Sequence, residues 1–177
     1  MIIFPIFHVA IPLLIFELPQ IKKKFQFNRF ALIIGSLIPD LIDKALMFLS
    51  ISSGRSYSHT ILFSVVSSLF VFLITKRSKI ISISYFVGTL FHLLLDLPDI
   101  PILFPFIPYD FIYIEDPFGF WLYKLIYDPF TYITEIAGLS ILIFIIINNK
   151  LFSFNKIKVF LLKNSKKELK IENKYQD

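Results

Sequence analysis

The chain has three histidines, His8, His59 and His92, and each lies inside or beside an apolar run with carboxylates near it in sequence. His92 stands in FHLLLD, four residues before Asp96, and Asp40 and Asp43 stand three apart in GSLIPDLIDK. On a helix, residues spaced i, i+4 or i, i+3 share a face with Cβ atoms ~5–6 Å apart. Two acids on one face repel, and each costs ~2.5–3.5 kcal/mol at the centre of a lipid-embedded helix. A cation between them would offset both effects. Imidazoles and carboxylates from separate helices of a bundle are the ligands of an open metal site. An open position makes such a site hydrolytic, because the metal acidifies bound water. The chain has no cysteine. Thiolate zinc sites, disulfides and thiol nucleophiles are therefore excluded. The remaining N and O donors suit Zn, Mn, Fe, Mg or Ca, and Zn or Mn is the divalent ion expected.

The elements that must position these residues read as membrane helices. Of 177 residues, 56% are hydrophobic and 22 are Phe, too much apolar surface for the interior of a small soluble domain. Lipid covers such surface on a polytopic protein. The pattern predicts an all-α, polytopic membrane bundle of about five transmembrane helices, at roughly residues 2–18, 30–49, 59–75, 80–97 and 131–148. Together these form a transmembrane domain over 1–149. Residues 97–130 hold six of the ten prolines and the single Trp. That composition predicts a Pro- and aromatic-rich interfacial segment covering the polar residues, or an aromatic belt that only anchors the chain. Residues 150–177 read as a cytoplasmic tail, first basic and amphipathic (LFSFNKIKVFLLK), then polar and disordered.

Charge in the connections gives an orientation. Lys22, Lys23, Lys24 and Arg29 fall between the first two runs, Lys76, Arg77 and Lys79 between the third and fourth, and eight lysines follow the fifth. The positive-inside rule places the N-terminus outside and the C-terminus in the cytoplasm of a plasma-membrane protein. His8, Asp40, Asp43, His59, His92, Asp96 and Glu135 then share the outer ~10–15 Å of the membrane. The net charge of +5 is met by anionic lipid, so membrane lipids are the expected partners and nucleic acid is not. Association into a homo-oligomer stays open.

Each residue also has a plainer use. Lys44, four residues after Asp40, can neutralise it locally. His8 can be a hydrogen-bonded polar residue between helices, His59 the water-accessible first residue of its run, and Glu135 an interfacial carboxylate. A cation transporter or channel would also need intramembrane acids and histidines, and a membrane adaptor would use the basic tail.

In order and spacing, GSLIPDLIDK, GRSYSHT and GTLFHLLLD resemble the YdjM-like family, whose members are classed as membrane-bound metal-dependent hydrolases. The resemblance covers about residues 8–97 and falls on Gly35, Pro39, Asp40, Asp43, Arg55, His59, His92 and Asp96, with His8 matching an early family histidine. Many members read P-D-x-D-H where this chain has PDLIDK, and carry a histidine where it has Gly54. The resemblance implies a hydrolase at the membrane surface, with His8, Asp43, His59, His92 and Asp96 as metal ligands. Beyond the resemblance, the shared depth suggests that Asp40 and Glu135 complete the shell or act as base. Arg55 would meet an anionic substrate, and location at the membrane surface suggests a phosphoester of a lipid or lipid-linked molecule.

Overall fold

The computed structural model describes residues 4–49, 51, 54–111 and 114–162. Among the described residues there are eight helices and no β-strand: α1 (Pro5–Glu17), α2 (Pro19–Lys24), α3 (Arg29–Phe48), α4 (Ile61–Ile74), α5 (Lys79–Asp96), α6 (Pro117–Tyr127), α7 (Pro129–Asn148) and α8 (Phe154–Leu162). The polar end of the tail, from residue 163, lies outside the described residues.

Local sequence sets the boundaries. Proline opens α1, α2, α6 and α7 at a first-turn position, where its missing N–H costs nothing. Side chains of Asn28, Thr60, Asp116 and Asp128 cap α3, α4, α6 and α7 by accepting from Ala31, Phe63, Gly119 and Phe130. Each satisfies one of the orphan donors of a helix N-terminus.

The centre of the bundle is the crossing of α3 and α5, and glycine permits it. A Cβ on Gly35 would lie 2.1 Å from the Tyr85 carbonyl oxygen, and one on Gly88 would lie 2.2 Å from that of Leu32. The backbones touch there, as at small-residue contacts between membrane helices. Gly138 of α7 meets the backbone of Phe7 in α1 in the same way. Helix α4 joins α5 through Ser82 Oγ, which donates to the Ser68 carbonyl over 2.7 Å.

The interior has two ends of different chemistry. Leu13, Phe27, Leu32, Ile145, Leu151 and Phe160 form an apolar cluster. His8, Asp40, Asp43, His59, His92 and Asp96 are all buried as well, and α1 and α3 contribute to both groups. Outside, α4 and α7 expose Leu69, Phe70, Leu73, Ile136, Phe144 and Ile147, a larger apolar surface than water tolerates.

Two helices, Lys79–Asp96 and Pro129–Asn148, are long and apolar enough to cross a membrane. That is fewer than the five expected. The shortfall has a geometric cause. At 1.5 Å per residue the 13 residues of α1 and 14 of α4 reach only about 20 Å, against a hydrocarbon core of about 30 Å. Helix α3 has 20 residues but carries Arg29, Asp40, Asp43 and Lys44. Within the Pro- and aromatic-rich segment, Asp116 and Pro117 start an 11-residue helix, α6, that the proline count had concealed.

Candidate metal centre

Asp40 comes from α3, His59 from the turn before α4, and His92 and Asp96 from α5. Each offers one ligand atom, and the four atoms lie within 4.8 Å of one another. His59 Nε2 is 3.1 Å from His92 Nε2. Asp96 Oδ2 lies 3.4 Å from both nitrogens, and Asp40 Oδ1 lies 3.5 Å from the first and 3.9 Å from the second.

What stands behind each imidazole decides which nitrogen holds its proton. His92 Nδ1 is 2.8 Å from the Ser36 carbonyl oxygen, which can only accept, so Nδ1 carries the hydrogen. Pro39 lacks the N–H that would bond the Gly35 carbonyl, one residue before Ser36 on α3. The Pro39 carbonyl itself accepts from Ser58 Oγ over 2.6 Å. His59 Nδ1 lies 2.7 Å from Asp43 Oδ2, so it too is the protonated nitrogen. With both rings neutral, two Nε2 lone pairs would point at each other across 3.1 Å. A bare pair would repel, whereas a cation accepts both. Fixing the tautomer through the far nitrogen is the usual support of a metal-binding histidine.

Asp43 sits behind His59 and outside the group of four. Its carboxylate accepts from Ser56 N (2.6 Å), Ser56 Oγ (3.0 Å) and Ser58 N (3.3 Å) as well as from His59. Four donors leave it little capacity for an ion. The sequence put Asp43 among the core ligands and Asp40 in the completing shell or as base; here Asp40 stands in the group of four and Asp43 behind His59. With a period of 3.6, a three-residue step moves the side chain 60° round the helix, enough to turn Asp40 to the histidines and Asp43 to the loop. Ser36, Ser56 and Ser58 were not foreseen. Ser56 and Ser58 alternate with Tyr57 and His59 in SYSH, a spacing that presents two donors to one carboxylate, and this was the available signal.

The outer carboxylate oxygens meet cations. Asp40 Oδ2 pairs with Lys44 Nζ, and Asp96 Oδ1 lies 2.6 Å from Arg55 Nη2. The local Asp40–Lys44 pair thus forms, yet Asp40 keeps one oxygen on the histidines. His8 is fully buried and stacks on His92 with ring centroids 4.2 Å apart. Its Nε2 is 3.7 Å from Asp96 Oδ1. Both His8 nitrogens and Asp96 Oδ2 have no hydrogen-bond partner, an expensive condition for buried polar atoms that a bound ion and its water would relieve. Glu135 is engaged at the start of α1, where Oε1 accepts from Phe7 N over 3.2 Å. At Gly54, φ is +84° and a Cβ would lie 2.5 Å from Met47 Sδ, so a histidine could not stand there without strain.

Aromatic residues flank the centre. Tyr57, Phe104 and Phe111 meet in edge-to-face and tilted contacts beside the turn that carries Arg55 and His59. Trp121 of α6 packs on Phe4 and Phe48 and lies under Lys44.

Neither the curated proteins nor the solved structures give a match. The family model of the YdjM inner membrane protein matches residues 4–157, which include every residue of the buried cluster, and the chain belongs to that family.

Proposed function

We propose that the chain is a metal-dependent hydrolase that crosses the inner membrane five times, and that it cleaves a phosphoester of a lipid-linked molecule at the extracytoplasmic surface. The observation that carries this reading is the pair of facing imidazole nitrogens, both with the proton fixed on the far side. Asp40, His59, His92 and Asp96 hold the ion, which supplies Lewis-acid activation of water and of the ester. Asp43 and the Ser36 carbonyl orient the two imidazoles. His8, buried and without a partner, serves as the base. Arg55 meets the anionic group of the substrate, for which its planar fork is suited. Four protein ligands fill the tetrahedron of Zn but leave positions open on an octahedral ion such as Mn, so Mn is the better candidate.

Helices α1, α3 and α4 cross as parts of a bundle whose exposed apolar faces meet lipid. The basic loops near 22–29, 76–79 and beyond 150 support an N-terminus outside. A cation pathway fits less well, because α4 has no charged residue and α5 has none between Lys79 and Asp96. The test is hydrolysis of a small phosphomonoester and of a lipid phosphate by protein in detergent, first stripped of metal and then reloaded with Mn or Zn. Turnover should need the reloading and vanish in His59→Ala. Turnover by stripped protein would refute the proposal.

A further inference from the structure

We propose that Lys44 and Arg55 form the two walls of an oxyanion site at the mouth of the metal centre, with Lys44 held on Trp121 and released from it when the anion binds. This rests on the metal-centre reading and adds the residue that selects the substrate class. The two cations are placed alike. Asp40 turns Oδ1 to the histidines and Oδ2 to Lys44, while Asp96 turns Oδ2 to the histidines and Oδ1 to Arg55. Each ligand carboxylate is thus already matched by its own side-chain cation. Asp43 behind His59 adds one more negative charge, so a divalent ion between the histidines leaves the centre with one net positive charge, and the centre favours an anion.

Burial locates the entrance. His59 and His92 have no exposed side-chain surface and Asp96 has 1%, whereas Lys44 has 13% and Arg55 has 17%. A ligand from outside meets the cations first. Fully buried His8, with neither nitrogen partnered, lies beside Asp96 Oδ1 on the Arg55 side. A tetrahedral oxyanion, whether inorganic phosphate or the phosphoryl head of an ester, can accept from an ammonium on one side and a guanidinium on the other.

Lys44 is also placed to report the event. Its Nζ lies 4.5 Å from the Trp121 ring centroid and 5.9 Å from that of Phe4, within the range of a cation–π contact. Trp121 is the only tryptophan in the chain. An oxyanion that draws the ammonium toward the metal takes it off the indole and also loosens the hold of α6 on α3. Trp121 is a positioning residue here and Lys44 a binding residue.

The experiment is a fluorescence titration of full-length protein in detergent, loaded with Mn or Zn, using inorganic phosphate as the probe and chloride at equal ionic strength as the control. Wild type should show a saturable change in Trp121 emission. Lys44→Met should weaken phosphate binding roughly 10- to 100-fold, the loss of one charge-assisted hydrogen bond. Lys44→Arg, which keeps the charge and the ring contact, should restore the response. Arg55→Met should weaken phosphate while leaving the unliganded emission unchanged. If wild type holds metal but shows no phosphate response, or if Lys44→Met responds like wild type, the oxyanion site is refuted and the metal centre stands. Protein that takes up no metal refutes both. A response to phosphate but not to a phosphomonoester lipid head would mark free phosphate as the ligand and exclude the lipid source.

Discussion

Substituting Asp43 separates a residue that orients a ligand from one that is a ligand. Asp43→Asn keeps the shape and one acceptor oxygen, which can still serve His59 Nδ1 and Ser56 N. The amide nitrogen then faces Ser58 N–H in place of a carboxylate oxygen, and His59 loses the anion that raises its basicity. Disturbing such a partner costs ~10- to 100-fold in metal affinity, or about 1.4–2.8 kcal/mol at 1.4 kcal/mol per decade. Asp43→Ala is harsher. It strands the N–H groups of Ser56, Ser58 and His59, each buried. At ~1–3 kcal/mol per unsatisfied donor the turn loses roughly 3–9 kcal/mol, enough to unfold it locally. The assay is metal titration against a competing chromophoric chelator, with helical content followed by circular dichroism. Asp40→Asn removes a ligand oxygen and should weaken binding more than Asp43→Asn does. If Asp43→Asn binds as tightly as wild type, or if it loses metal more completely than Asp40→Asn, the placement of Asp43 behind His59 is wrong.

Other outcomes follow from the same packing. Gly35→Ala puts a methyl 2.1 Å from the Tyr85 carbonyl oxygen. It should lower stability by ~1–3 kcal/mol and, by parting α3 from α5, weaken metal binding through the Ser36–His92 contact; thermal melts and the chelator titration read the two effects. Arg29→Met removes a fully buried cation that pairs with Glu17 and donates to the Phe160 carbonyl over 2.9 Å. The cost should be about 3 kcal/mol, near the low end for a broken buried pair, because Lys22 stays 3.1 Å from Glu17; faster proteolysis within residues 150–162 would show α8 coming loose. Cysteines placed one at a time at Asp110 and Ser153 test the orientation against a chain that has none. An impermeant thiol reagent on intact cells should label the first and spare the second, and the reverse pattern would invert the topology.

The long helices were legible because hydropathy and charge spacing act over many residues. The apolar runs at 2–18, 30–49, 59–75, 80–97 and 131–148 overlap α1, α3, α4, α5 and α7 in turn, with ends that differ by at most three residues. Whether each crosses lipid is a separate matter, since the short α1 and α4 depend on neighbours for coverage. Helix α6 was hidden because its proline stands where a helix begins. The residues of the centre were legible as types: a histidine or carboxylate within an apolar run has few other uses. Their order around the centre was not. A three-residue step decides whether Asp40 or Asp43 faces the two Nε2 atoms, and only the position of the 54–60 turn settles it. The Ser36 carbonyl is invisible to any reading of side chains. Lys44 was legible as a local partner of Asp40, but its contact with Trp121 joins residues 77 positions apart, and no periodicity carries that.

The central claim is that Asp40, His59, His92 and Asp96 hold a divalent ion. The most direct test is elemental analysis of protein purified in detergent without chelator, beside a His59→Ala, His92→Ala double variant that inserts and folds normally. Wild type should carry a stoichiometric divalent metal and the double variant should carry none. Metal-free wild type that cannot be loaded, or a double variant that retains its metal, would contradict the claim.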